Sequence, residues 1–305
     1  MAQKKKKVSP AAVATIILVA IVIALMSASG FYTDYLWFDQ LGFSSVFTTV
    51  VWAKLAAFAA AALLMWVFTW GSLFFAYRTR PIYAQIADDR PGFSQYRELL
   101  TAVRKGVMVV LPLLLAVFAG IAADSWWPTA LTFFNREPAG ITDPQFSLDI
   151  TFYMFDLPFY RGLDTYFSAI AMICLLIAVV FHLVFGGIRA GAGQMRFTRA
   201  ARYQVGISAA IFAALQGASL WLTQYDTMTS SSGLYTGATY SDVNARIPGL
   251  QIMAGIAFVV AVLFLVAAVI GRWRLPIMAT ALMLVSSLVL GGVYPWIVQT
   301  FQVVP

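Results

Sequence analysis

The sequence predicts an all-α membrane protein with seven transmembrane helices, its N-terminus cytoplasmic and its C-terminus extracytoplasmic, and two structured outer loops. Three observations predict it. Only 11% of the 305 residues are charged and the mean hydropathy is +0.81, whereas soluble domains carry roughly 25% charged residues. Seven stretches hold the ~20 mainly apolar residues that a helix needs to cross ~30 Å of hydrocarbon, where only helices or closed barrels satisfy the backbone. Finally, Lys and Arg gather on one side of the layout that these stretches define.

In chain order the spans are expected at about 10–31, 52–77, 106–128, 165–188, 204–225, 249–271 and 275–298. The first opens with KKKK before AAVATIILVAIVIALM and the small residues SASG. That layout also fits a secretory signal peptide, whose removal would leave six helices. The aromatic sequence FYTDYLWF after Gly30 favours a retained span, because it reads as an anchor at the outer interface. Between the second and third spans, residues 78–105 place Phe93, Tyr96, Leu99, Leu100 and Val103 on one helical face. Either an interfacial helix or a cytoplasmic extension of the third span fits this spacing. The cytoplasmic stretch GGIRAGAGQMR at 186–196 contains Gly-x-Gly but follows a membrane helix rather than a strand, so it reads as a flexible loop whose arginines meet anionic lipid.

With a cytoplasmic N-terminus, the inner segments 1–9, 78–105, 189–203 and 272–274 hold sixteen of the twenty Lys and Arg and three of the thirteen acids. Lys54, Arg136, Arg161 and Arg246 remain outside with the other ten acids. The net charge of +7 therefore speaks of membrane orientation rather than of nucleic acid. A lone Cys174 excludes an intrachain disulfide, and with His182 the only histidine, no zinc, haem or iron–sulfur ligand set is expected.

The outer loops are placed at 129–164 and 226–248. In the first, Phe146, Leu148, Ile150 and Phe152 alternate with Ser147, Asp149, Thr151 and Tyr153, compatible with a half-covered strand. The second is rich in Ser, Thr, Gly and Asn and reads as turn-forming. An unpaired strand would leave an exposed edge, so a partner protein or further polypeptide is expected over these loops.

The segments YTDYLWFDQLGFSSVFTT (32–49), DPQFSLDITFYMFDLPFYR (143–161), SSGLYTGATYSDVNARIP (231–248), RWRLP (272–276) and GGVYPWIVQTFQVVP (291–305) closely resemble the bacterial membrane proteins of uncharacterised protein family 0182. The resemblance covers nearly the whole chain. It implies seven membrane helices followed by a long extracytoplasmic region, so that the sequence to Pro305 is expected to be either the membrane portion of a longer protein or a shortened member, and residence in the bacterial cytoplasmic membrane. It implies no established activity.

Candidate sites follow from what a bilayer makes costly. Lys54 near the outer end of the second span reads as a snorkelling lysine, and Asp124 beside Trp126 and Trp127 as an interfacial acid able to pair with Lys54 or an outer arginine. His182, about 10 Å inside the inner boundary, reads as hydrogen-bonded between helices, with a proton relay as the alternative. Gln216 is expected to bond across helices. Gly291, Gly292 and Pro295 would permit a kink. The outer acids Asp143, Asp149, Asp156, Asp164, Asp226 and Asp242 form the richest constellation. Salt bridges to Arg136, Arg161 and Arg246 account for several; a divalent cation on Asp143, Asp149, Asp156, Asp226 and Asp242 is the alternative, as is acid–base chemistry on an envelope substrate. No carboxylate chain crosses the membrane, and no P-loop, HExxH or Gly-x-Ser-x-Gly occurs. The expected function is an anchor or scaffold that positions an extracytoplasmic region or partner in envelope assembly or quality control, with no resident cofactor. A transporter or channel for an apolar solute and an outer-face enzyme are the alternatives.

Overall fold

A computed structural model of the chain describes residues 9–80, 104–191, 194–231 and 236–303. Among these, seven helical segments are long and apolar enough to cross a membrane. The expected helix at residues 93–103 lies outside the described residues.

The chain divides into two units, Met1–Ala56 and Ala57–Pro305. In the first, α1 (Pro10–Gln40) turns into α2 (Ser44–Arg78). The turn works because Gly42 takes a left-handed φ of 76°, which lets Phe43 N–H reach back to Phe38 O at 2.9 Å. Phe47 of α2 then meets the rings of Phe31, Tyr35 and Phe38 at 5.1, 5.8 and 5.6 Å. Both helices are longer than their apolar stretches, because the aromatic turns continue the helix past the hydrocarbon-length core.

The second unit holds the rest of α2 and the remaining helices. α3 (Arg104–Ala123) passes through a 3-10 turn, Asp124–Trp126, into α4 (Trp127–Phe134). α5 (Leu157–Val184) and α6 (Arg199–Asp226) are joined by an antiparallel hairpin of β1 (Ile188–Gly191) and β2 (Gln194–Phe197). α7 (Ile247–Ile270) precedes α8 (Arg274–Leu288) and α9 (Tyr294–Val298).

The core lies between α5, α6 and α7, and α6 meets α7 through small residues. A Cβ on Gly206 would sit 2.5 Å from Ala268 Cβ, and one on Gly217 3.3 Å from Ala257 Cβ. Ala209, Ala210, Ala213, Ala254, Ala257 and Ala261 are buried along the same seam. Small side chains let backbones approach where lipid supplies no hydrophobic drive between helices.

Three of the four π-helical turns among the described residues share one cause. Phe152–Asp156, Asp242–Arg246 and Val289–Val293 each end immediately before a residue that donates its N–H five positions back: Leu157 to Phe152, Ile247 to Asp242, Tyr294 to Val289. The next residues are Pro158, Pro248 and Pro295. Proline has no N–H and its ring crowds the carbonyl four residues earlier, so the ladder widens there instead of breaking. The kink expected around Gly291, Gly292 and Pro295 thus takes the form of a π-turn.

Two local expectations are corrected. Residues 146–153 do not form a strand: a single bridge joins Thr142 and Asp149, and helix begins by Phe152. The fourth span accordingly starts thirteen residues before the expected 165. Likewise the inner segment expected to be a flexible loop contains the β1–β2 hairpin. Ile188 and Phe197 pair in it and face a cluster with Ala178, Ala201, Val205 and Trp273, while Arg189 pairs with Arg196. The glycines of GGIRAGAGQMR, read as loop-formers, obscured the strand character of Ile188–Gly191 and Gln194–Phe197.

Candidate functional site

Two constellations bear chemistry, one at each end of the α5–α6 pair. The first is the connection 135–151, which two aspartates hold from within. Asp143 accepts from the N–H groups of Gln145 (2.8 Å), Phe146 (2.7 Å) and Leu148 (3.0 Å) and from the Tyr153 hydroxyl (2.7 Å). Asp149 accepts from the N–H groups of Ala139 (3.1 Å), Gly140 (2.8 Å) and Thr151 (2.8 Å). Short polar side chains that bond their own neighbouring amides are turn-formers, which is why the polar half of the alternating pattern closes a loop instead of facing water from a strand.

The electrostatic consequence is direct. The Thr151 amide first, then those of Ala139 and Gly140, draw the Asp149 carboxyl down to about 2. Partial burial works to raise Asp143, but the hydrogen bonds from Phe146, Tyr153, Leu148 and Gln145 overcome it and hold the group below the ordinary carboxylate range.

Ion pairs fasten this loop to the helices. Arg136 Nε lies 2.6 Å from Asp156 Oδ1, and its guanidinium covers the Phe133 ring at 4.2 Å. Arg161 pairs with Asp226 and donates to Thr223 Oγ1 at 2.9 Å, tying the start of α5 to the end of α6. Phe146 and Phe152 pack on Tyr225 at 4.8 and 5.2 Å. The second connection therefore leaves from the same end. In it Thr239 and Asp242 cap each other, Asp242 meets Arg246 at 3.5 Å, and Ser241 donates to Gln299 at 2.8 Å. Asp164 lies on α5, one turn from Arg161. Asp143, Asp149, Asp156, Asp226 and Asp242 thus have amide, hydroxyl or arginine partners, and among the described residues no group of three or more His, Cys, Asp or Glu is arranged to hold a metal ion.

The second constellation is a buried polar network between α2, α5 and α6. His182 is fully buried, with Nε2 2.9 Å from Gln204 Oε1. Gln204 Nε2 donates to Ser72 O at 2.9 Å and lies 3.0 Å from Ser72 Oγ. Because a backbone carbonyl only accepts, the amide nitrogen must face Ser72, and Oε1 must then accept from a protonated His182 Nε2. Nδ1 is left as a buried acceptor against Gly187, where a Cβ would come within 2.7 Å. Ser72 Oγ also reaches Cys174 O at 3.3 Å.

Beside this network a cavity of about 360 Å³ opens between the three helices. Its floor is Ile170, Ala171 and Gln204, all buried; Phe68, Phe75 and Ile211 at the mouth are 47%, 43% and 50% exposed. Cys174 and Ser208 also line it.

The structure places His182 in this network, bonded from α5 to Gln204 on α6. On α6 the amides that bond to other helices are Gln204 and Gln224, the latter accepting from Gln251 at 2.8 Å; Gln216 is half-buried and makes no hydrogen bond among the described residues. Lys54 is half-buried on α2, in the first unit, and Asp124 is exposed at the 3-10 turn. Ser72 and Gln204 escaped sequence reasoning because single polar residues near span ends look like interface residues until a histidine on another helix is seen to meet them.

Seven apolar helices, small-residue packing and polar groups drawn to the helix ends define a multi-pass membrane protein. Its sequence matches the uncharacterised protein family UPF0182 over residues 11–305, and the chain belongs to that family. The UPF0182 protein of Clavibacter sepedonicus is 42% identical over 299 residues, covering 97% of this chain and 30% of the relative. That of Kocuria rhizophila is 42% identical over 302 residues, with 99% and 30% covered, and that of Kineococcus radiotolerans 43% over 275 residues, with 89% and 27%. The chain thus spans less than a third of the length of these curated relatives. No solved structure matches it.

Proposed function

We propose that the chain is the membrane platform of a larger bacterial envelope protein. In this reading it lies in the cytoplasmic membrane with the basic hairpin inside and the two acid-rich connections outside, following the positive-inside bias. Those connections form a landing surface for extracytoplasmic polypeptide that acts in envelope assembly or quality control. The observation that carries the reading is the internal bracing of residues 135–151. Two carboxylates spend their acceptor capacity on backbone amides and a tyrosine, so the loop is shaped before anything binds it, and it presents Ile141 61% exposed. Pre-ordering of this kind lowers the entropic cost of docking.

The roughly 70% of the relatives' length outside the matched part supplies the natural occupant. Expressed separately, that portion of a relative should co-purify with its membrane portion, and replacing the residue equivalent to Ile141 by Asp should weaken the association. Independent behaviour of the two portions would overturn the proposal. Accessibility tags beside Arg196 and Gly237 test the orientation: they must report opposite compartments.

A further inference from the structure

The cavity between α2, α5 and α6 is asymmetric along its length. Toward one end Phe68, Phe167 and Leu215 make it wholly apolar; toward the other lie Ser72, Gln204 and Ser208. Ser72 and Gln204 are satisfied by one another and by His182, whereas the Ser208 hydroxyl makes no bond among the described residues. One turn past Phe75, on the same face of α2, Arg78 is exposed. The α5 terminus and the hairpin arginines Arg189 and Arg196 are at this same end, joined to α2 by the edge-on contact of Tyr77 with Phe185 at 6.4 Å.

We propose that this groove binds one anionic glycerophospholipid, its acyl chain along the apolar length, an ester carbonyl accepting from Ser208 and its phosphate at Arg78. Two arguments select this occupant. The mouth is flanked by exposed Phe68, Phe75 and Ile211, so the groove continues the lipid-facing surface of the spans, and hydrocarbon chains are the fluid at its opening. An unfilled apolar recess forfeits dispersion contacts that a chain recovers. The charge arrangement then chooses the headgroup, because the polar end of the groove coincides with the basic end of the helices, where anionic lipid is attracted.

Native mass spectrometry of the purified protein, offered equal phosphatidylglycerol and phosphatidylcholine with identical chains, tests the assignment. One phosphatidylglycerol should be retained preferentially. Arg78→Gln should reduce that preference about fivefold, the effect of one surface arginine. Ile211→Trp and Ser208→Phe plug the groove from its half-open side, and each should lower retention of both lipids. Equal retention of the two lipids by the unaltered protein would overturn the proposal, as would undiminished retention in whichever plugged variant folds. So would a Cys174-directed crosslink that captures a second copy of the chain in place of lipid.

Discussion

Replacing Gln204 by Met tests the buried network, because Met keeps the length of the side chain and removes both polar atoms. Three contacts disappear: His182 Nε2–H to Oε1 at 2.9 Å, and Nε2 to Ser72 O and Oγ at 2.9 and 3.0 Å. Interhelical hydrogen bonds inside membranes average about 0.6 kcal/mol and reach about 1.7. The loss should therefore be about 2 kcal/mol, including a newly orphaned imidazole N–H. His182→Leu removes one of the three contacts and should cost about 1 kcal/mol. The double variant should cost about 2, not 3, because the orphaned N–H is gone, giving a coupling of about 1 kcal/mol. The single cysteine supplies the assay. Cys174 lines the adjoining cavity, so its reaction with a thiol-reactive dye during heating reports separation of α5 from α2 and α6. Additivity of the two substitutions within about 0.3 kcal/mol would refute both the network and the tautomer deduced for His182.

Three further outcomes follow from the same geometry. Asp149, held at about 2 against an ordinary 3.8, stabilises its loop fully above the ordinary value and loses that contribution as pH falls through about 2. The amide resonances of Ala139, Gly140 and Thr151 should therefore titrate together in that window, and Asp149→Ala should raise their hydrogen exchange at neutral pH. Gly187→Ala drives a Cβ against the His182 ring and Gly206→Ala one against Ala268, and each should destabilise by about 1–3 kcal/mol in the same thermal assay. Simultaneous Asp149→Asn, Asp156→Asn and Asp242→Asn should loosen the connections that these acids brace, seen as faster proteolysis there, while leaving dye access to Cys174 unchanged, because none of the three touches the buried network.

Much of the architecture was legible before the structure because the bilayer enforces it. Helices must satisfy their own backbone in hydrocarbon, so stretches such as 249–271 announce themselves by composition alone, and α7 occupies Ile247–Ile270. The acids of the two long connections were legible as a group for the same reason, since charges are expelled from the spans. The pairing of Arg136 with Asp156 and of Arg161 with Asp226 was not, because sequence separation says nothing about which ends meet. The start of the fourth span was not legible either: it was expected at 165 and lies at Phe152, because Pro158 sits at the first turn of α5 behind a π-turn, where it is tolerated.

The sequence by itself determined the number of spans, the ends at which charge collects and the family. Hydration energies act residue by residue, so these properties need no knowledge of neighbours. Tertiary structure alone decided that alternating polar residues curl Asp143 and Asp149 around backbone amides, that Gln204 bridges His182 to Ser72, and that three helices leave a groove beside them. Such features depend on which donor finds which acceptor across helices, and that choice is made only when the helices pack.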